Sequence, residues 1–536
     1  MTDANETNII RPGGDPADEP GSPGTGDLTD ELIGSSVWTD DMLRRAGIPI
    51  VDQARVLSIG GGLGSFALVD TLRIAGVPTS DIRVITNLER PSATYRYLAG
   101  NSQIPEQERL RSDASSVMDN VWGFPSYAWR ESRMASSLSD RIAPMWNVFA
   151  EPIGLDYWTP RAGDVYDGVD REALRIGWAE TLVSGLVRMV RRHQSGGYVA
   201  LFAPEGSTGR DRRAIRADHV HLAVGYPGIK FLPDLQAYRE RHSDFSRVVN
   251  AYEPHDHVYA ELRANPATVL VRGSGIVGSR VLQRLLDDRD QGLADTTVIH
   301  LFRNYVDGPQ GDKVTYRRQG GDGFAYQGFN FPKSAWGGQL KDRLESLEGP
   351  ERAELIRTMG GTNTPKRKYW QRQLQRARAA NAYRQITGQV TSVSQGADQT
   401  VVTEVRTDNG TLELAANFVI DATGLEADIG EHRVLADLLE HGGAGRNAYG
   451  RLDVAPSFEV RGARNGDGRM YASGSITLGG YYAGVDSFLG LQYAALAIAD
   501  DLAVVGVAPK IGARRSMGEW WRRMRGRPPA PRGAAR

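Results

Sequence analysis

Apolar positions along the chain come in short runs of strand length, and twice such a run leads through a glycine-rich turn into an apolar segment long enough for a helix. In the first case Val56-Leu57-Ser58-Ile59 is followed by Gly60-Gly61-Gly62-Leu63-Gly64-Ser65; a helix is expected from Phe66 to Ala75, and Ile82 to Thr86 reads as the next strand. In the second, Thr268 to Val271 leads into Gly273-Ser274-Gly275-Ile276-Val277-Gly278, a helix through Leu286 and a strand from Thr297 to Phe302. Continuous apolar runs this short, bounded by turn residues, suit strands buried on both faces. Strand, helix and strand in that order form the βαβ unit of a parallel sheet, so the pattern predicts an α/β chain built on two such units. Apart from these two units, the sequence shows no internal repeat.

The remaining segments are placed around those units. Residues 198–225 alternate short strands with turn residues and finish on Val220-His221-Leu222-Ala223-Val224-Gly225-Tyr226-Pro227. Residues 389–414 alternate again, and Asn417 to Ile420 then leads into Asp421-Ala422-Thr423-Gly424. Met470 to Gly474 is a last short strand, and Asp486-Ser487-Phe488-Leu489-Gly490 opens an apolar helix to about Ala503. Residues 320–385 differ in texture: Lys333-Ser334-Ala335-Trp336-Gly337-Gly338 precedes a basic, helix-like run from Lys366 to Arg384. This insertion reads either as an amphipathic covering helix with a solvated basic face or as a substrate cap. Residues 1–45, rich in Gly, Pro, Asp and Thr, are expected to form a disordered arm, having too little apolar surface to bury. The tail at 506–536 is basic, with Trp520-Trp521 beside Arg522 and Arg523 and then Pro528-Pro529; it reads as a frayed terminus, and membrane contact is not expected of it.

Composition removes several function classes. A chain of 536 residues is too long for one core and divides into two or three domains. Lys and Arg number 64 against 65 Asp and Glu, so bulk charge gives no reason to expect nucleic acid, and a small molecule is the expected substrate. The chain has no cysteine, which fits a reducing compartment and excludes disulfide-reductase chemistry, thiolate zinc sites and cysteine-held Fe–S clusters. There is no apolar run of spanning length and no basic-then-apolar leader, so a cytoplasmic location is expected.

The glycine turns carry the chemistry. A dinucleotide's pyrophosphate lies against bare backbone N–H groups at a helix N-terminus, where the helix dipole favours negative charge. The first glycine permits the bend, the second lets backbone approach phosphate, and the third lets helix pack closely on strand. Gly273, Gly275 and Gly278 fill all three places. At the first turn Gly60 and Gly62 fill two, with Gly64 between and Ser65 third. An acidic residue after the second strand binds ribose hydroxyls, and Glu89 is the nearest there, with Asn87 also in range. Arg303 ends the corresponding strand of the second unit, where a guanidinium meets a 2′-phosphate, so NADP(H) is preferred over NAD(H).

The order of glycine turn, meander ending in Ala223-Val224-Gly225, second glycine turn, meander ending in Ala422-Thr423-Gly424, late strand and helix resembles the flavoproteins with two dinucleotide-binding domains. That group includes the flavin-containing, Baeyer-Villiger and N-hydroxylating monooxygenases and the disulfide reductases; the likeness spans roughly residues 53–505. It implies an α/β fold of two Rossmann-like domains, one for FAD and one for NAD(P), with β-meander crossovers and a helical insertion. The FAD domain is expected over 46–265 plus 425–505, and the NAD(P)H domain over 266–424 with the insertion at 320–385. By the resemblance Gly60, Gly62, Gly64, Ser65 and Glu89 bind FAD, while Gly273, Ser274, Gly275, Gly278 and Arg303 bind NADPH. Where the family often closes its flavin site with Gly-Asp, this chain has Gly474-Ser475, and Asp486 is the candidate for the displaced acidic contact. The linker fingerprint of the first two monooxygenase groups is absent, Val249-Asn250-Ala251-Tyr252 with His255 and His257 being the nearest match, so no subfamily is assigned.

The implied activity is an NADPH-using monooxygenase acting on a small molecule and molecular oxygen through a flavin hydroperoxide. Two alternatives stand beside it: a flavin-dependent dehydrogenase or reductase with a non-disulfide acceptor, and a cofactor-binding regulatory or scaffold protein. No catalytic residue is assigned. Arg111-Ser112, Asp156-Tyr157-Trp158, His255 and His257 are further candidates for contact with substrate or cofactor, and no metal site is expected.

Overall fold

The computed structural model describes residues 26, 28–110, 126–150, 158–207, 211–308, 320–325, 338–359 and 368–531. Two mainly parallel sheets organise the chain. The first contains β1 (Ile50–Ile59), β2 (Ile82–Thr86), β3 (Leu182–His193), β4 (Tyr198–Pro204) and β5 (Arg213–Leu222), with a short edge pair Val37–Trp38 beside β3. Its far edge is Met470–Ala472, paired in parallel with β5 through Met470 and Val220. β1 runs parallel to β2 on one side and to β5 on the other, with Ile59 opposite both Ile85 and Leu222. Helix α1 (Leu63–Ala75) follows β1 and buries Phe66, Leu68, Val69 and Leu72. This nearly all-round burial explains why its apolar residues show little one-sided periodicity. It is covered in turn by the apolar helix Phe488–Val504, by α2 (Ala162–Ile176) and by the C-terminal helix Ala513–Met524.

The second sheet is wholly parallel. β6 (Val248–Asn250), β7 (Ala267–Arg272), β8 (Thr296–Phe302), β9 (Tyr383–Thr387) and the later strand Phe418–Asp421 stand in the spatial order β9, β8, β7, Phe418–Asp421, β6. Helix α3 (Ile276–Asp290) joins β7 to β8. A separate three-stranded antiparallel meander, Gln389–Gln395, Val401–Thr407 and Gly410–Ala416, lies against this sheet, with Val393, Val401, Val405 and Leu414 packing on Leu270, Ile299 and Val419.

The two-sheet architecture is the expected one, but three boundaries move. The arm expected through residue 45 ends sooner: helices Asp30–Gly34 and Asp40–Ala46 flank Val37–Trp38, and Leu28, Leu32, Trp38 and Leu43 are buried with Met189 and Leu201. Their apolar residues are few, yet all but Val37 are buried or partly buried, which average composition hides. Residues 248–250, expected in the first domain, form the edge of the second sheet, so that domain begins before 266. Two apolar residues in a row were too little to announce a strand. The tail is not frayed: Ala513–Met524 is a docked helix, held by charges that read as solvated in sequence.

The expected insertion resolves into different parts. The basic run forms α4 (Lys368–Ala379), which buries Trp370 and Leu374 in the second core, and Arg384 already belongs to β9. Helices Gln339–Ser346 and Gly349–Met359 instead pack on first-domain residues Tyr449, Leu478 and Ala483 through Leu340, Leu344 and Ile356. Two of the segments that cross between domains run together: Ile229 and Leu425 form an antiparallel bridge, and Glu426 N–H donates to Gly228 O at 2.9 Å. The buried Asp421 carboxylate ties them, accepting from Leu232 N–H at 2.8 Å and from Thr423 N–H at 3.0 Å. Burial pushes its pKa up, and these donors pull against that rise.

Candidate functional site

Each glycine turn stands at the carboxyl end of the strand where its sheet reverses order. In open α/β sheets this position leaves a crevice, because the connections on either side depart to opposite faces. Gly60 has φ +92°, and a β-carbon there would lie 2.6 Å from Ala223 O. Gly273 has φ +124°, and a β-carbon there would run into Ala422 O. The small-residue stretches at Ala223 and Ala422 are thus the walls against which the turns press. The helices that follow also begin alike: Gly62 has φ −79° and ψ −170°, Gly275 has φ −80° and ψ −171°, and neither supplies a side-chain cap. Their first N–H groups have no intrahelical acceptor and face a favourable dipole for an anion.

Beneath the first turn runs a buried hydrogen-bond chain. Ser65 Oγ donates to Gly60 O, Ser58 Oγ lies 2.7 Å from Ser65 Oγ and 2.8 Å from His221 Nδ1, and His221 Nε2 lies 2.9 Å from Ser473 Oγ. Gly60 O can only accept, which makes Ser58 donate to Ser65 and His221 Nδ1–H donate to Ser58. Burial drives the imidazole pKa down to about 3, so the ring is neutral and its Nε2 accepts from Ser473 Oγ. Ser65 is buried and supports the turn from below, so its hydroxyl does not face the crevice. The second turn is held at the equivalent carbonyl by His300, whose Nε2 lies 2.8 Å from Gly273 O while Nδ1 lies 2.9 Å from Tyr383 Oη. Burial lowers His300 to about 4.

The structure gathers the predicted residues into two groups. Gly60, Gly62, Gly64 and Ser65 lie beside Ser473, which precedes Gly474-Ser475; a β-carbon on Gly64 would stand 3.1 Å from Ser473 Oγ. Gly474 takes φ +82°, and Ser475 is buried. Glu89 is exposed three residues past Thr86, at the end of β2. Asp486 accepts from Tyr226 Oη at 3.0 Å, which engages it with the crossing segment. Gly273, Ser274, Gly275 and Gly278 form the second group, with Arg303 exposed directly after Phe302 at the end of β8.

Other candidates stand apart from these groups. His255 lies 2.8 Å from Glu253 O and 3.1 Å from Tyr259 Oη, and His257 lies 2.8 Å from Ser246 O, so both serve local packing. Trp158 is buried, with the Arg109 guanidinium 5.4 Å from its ring centroid. Arg111, Ser112, Asp156, Tyr157 and Lys333 to Gly337 lie outside the described residues. Sequence reasoning missed His221 and His300. Their signal was a histidine flanked on both sides by apolar residues near the end of a strand, at Val220-His221-Leu222 and Ile299-His300-Leu301.

No protein-family model matches the chain, and no curated protein matches it in sequence. Solved structures do match in shape. A cadaverine monooxygenase of desferrioxamine biosynthesis from Erwinia amylovora, bound to FAD, is 13% identical, with a TM-score of 0.61 over 86% of this chain and 98% of that one. An ornithine hydroxylase from Pseudomonas aeruginosa is 14% identical, with a TM-score of 0.58 over 84% and 98%. An ornithine N-hydroxylase from Kutzneria sp. 744, with reduced FAD, NADP+ and L-ornithine, is 13% identical, with a TM-score of 0.55 over 82% and 98%. The chain has the fold of the flavoproteins with two dinucleotide-binding domains. In this flavoprotein fold the two glycine turns occupy equivalent places in two sheets, while their histidines stand on opposite sides: His221 on the strand across the reversal point, His300 on the strand that follows the turn's own helix.

Proposed function

We propose that this chain is an FAD-dependent, NADPH-using monooxygenase that hydroxylates an amine of a small molecule. The observation that carries the reading is the repeated construction of the two turns, each offering an uncapped helix N-terminus at the reversal point of its own sheet. Two dinucleotide sites on one chain are useful when a hydride passes between them. On this reading Gly60, Gly62 and Gly64 hold the FAD pyrophosphate, Glu89 takes its ribose, and Gly474, Ser475 and Asp486 border the rest. Gly273, Ser274, Gly275 and Gly278 hold NADPH, with Arg303 on its 2′-phosphate. Ser65 contributes from beneath by fixing Gly60 O.

FAD held there would supply the redox chemistry, as acceptor of hydride from NADPH and donor of electrons to oxygen. The chain binds, orients and shields. Helices Gln339–Ser346 and Gly349–Met359 screen the segment from Gly474 to Asp486, with Arg352 lying 3.9 Å over the Tyr481 ring. With no cysteine in the chain, electrons cannot leave through a disulfide, which supports oxygen as the acceptor over that route. The amine substrate class is supported by the structural neighbours, which act on ornithine and cadaverine.

The test is to purify the protein, record flavin absorbance, and mix it anaerobically with NADPH and with NADH. Oxygen uptake and hydroxylamine formation are then measured with ornithine, lysine and cadaverine as probes. The expected result is a yellow protein, reduced faster by NADPH, that consumes oxygen and yields a hydroxylated amine. A colourless protein that takes up no added FAD overturns the proposal, and substrate turnover that persists without oxygen replaces the monooxygenase with a dehydrogenase.

A further inference from the structure

The docking of the C-terminal helix α5 (Ala513–Met524) changes what its basic sequence means. Its inner face carries a set of ion pairs. Glu519, 3% exposed, faces Arg515 at 3.7 Å and Arg175 at 4.0 Å, and accepts from Ala530 N–H at 2.8 Å. Arg523 faces the buried Glu172 at 3.5 Å, and Arg515 also donates to Ile74 O. Glu519 is the sole carboxylate between Lys510 and Pro531, so folding has drawn all the negative charge of this segment inward.

What remains outside is apolar and cationic. Met517, Trp521 and Met524 follow one another at intervals of four and three, which places them on one helix face, and they are 50%, 51% and 54% exposed. Arg514, Arg525 and Arg527 are exposed around them, and the Arg525 guanidinium lies 5.8 Å from the Trp521 ring centroid. Scattered exposed apolar residues are ordinary, but three large ones aligned on a helix and flanked by exposed arginines are the arrangement of an interfacial helix. Tryptophan suits the boundary between headgroups and acyl chains, and arginine suits anionic headgroups. A nucleic acid would use the arginines and leave the apolar stripe idle; a second copy docked by this face would set arginine against arginine.

We propose that the outward face of α5 docks the protein on an anionic lipid bilayer. The test is flotation of the full chain with vesicles of phosphatidylcholine alone and of phosphatidylcholine mixed with phosphatidylglycerol, at low and high salt. The chain is expected to float with the mixed vesicles only, and less so as salt rises. The pair R514Q and R525Q should lower partitioning roughly 25-fold, at about five-fold per arginine near the surface. M517S with W521S should abolish flotation while the melting temperature stays near that of the parent, since these side chains face away from the core. Equal flotation with neutral vesicles, or flotation untouched by both pairs, overturns the proposal. So does a chain that ignores vesicles but self-associates, or binds a DNA duplex, through these same residues.

Discussion

The carbonyl oxygen of Ala223 stands 2.6 Å from where a β-carbon on Gly60 would be, so the first turn is closed by the backbone of the strand beside it. Two sequence segments more than a hundred residues apart are thereby committed to one crevice. The adjoining Gly62 is different: a β-carbon there would meet nothing within 4 Å.

This contrast separates folding from binding. Gly60→Ala is expected to destabilise the protein by roughly 1–3 kcal/mol through backbone strain alone. Gly62→Ala is expected to leave the melting temperature of the FAD-free protein nearly unchanged, yet weaken FAD retention by filling the space a phosphate requires. Thermal melts of stripped protein and FAD titration check the pair; equal melting losses in both variants would contradict it.

The chain from Ser473 through His221 and Ser58 to Ser65 predicts a cost for deleting any middle member. Ser58→Ala leaves both Ser65 and His221 short of a buried partner, and each such loss is worth about 1–3 kcal/mol. Urea unfolding should show a lower midpoint with unchanged slope. If Ser58→Ala unfolds at the parent's midpoint, the chain contributes nothing to stability.

Acid should weaken the fold through the same histidines. His221 and His300 titrate near 3 and near 4 when folded, against an ordinary value of 6.5. The unfolded chain therefore binds more protons between those values, and stability falls as pH drops. The contribution is fully present above pH 6.5 and declines from there until pH passes about 4 for His300 and about 3 for His221. Unfolding midpoints measured from pH 7 to pH 4 should fall, and His300→Gln should flatten part of that slope.

Arg303 predicts cofactor preference. Arg303→Gln is expected to raise the KM for NADPH on the order of ten- to a hundredfold, since a hydrogen bond between charged groups is worth about 1.5–3 kcal/mol. The KM for NADH should hardly move. Steady-state kinetics with both nucleotides decides the matter, and equal losses for both would remove Arg303 from the 2′-phosphate.

Much of this was legible beforehand because strand, glycine turn and helix are consecutive, so a local pattern suffices to find them. Ala223 and Ala422 were visible as small-residue stretches, but their place against Gly60 and Gly273 depends on strand order, which no local window contains. Glu519 illustrates the opposite failure. In sequence it is one acid in a basic tail; in the fold it is the buried partner of Arg175 and Arg515. Helices Gln339–Ser346 and Gly349–Met359 fall within the helical insertion expected at 320–385, where only the run from Lys366 was singled out, and nothing in their own residues names Tyr449 or Leu478 as the surface they cover.

The bridge between Ile229 and Leu425 has a mechanical meaning. Two chain crossings joined side by side, and tied again by Asp421, make a single pivot in place of two separate anchors. Away from that connection the domains also meet where Leu340 and Leu344 pack on Tyr449 and Leu478, and where Arg280 pairs with Glu108 at 2.9 Å, so the angle between them is held at more than one place.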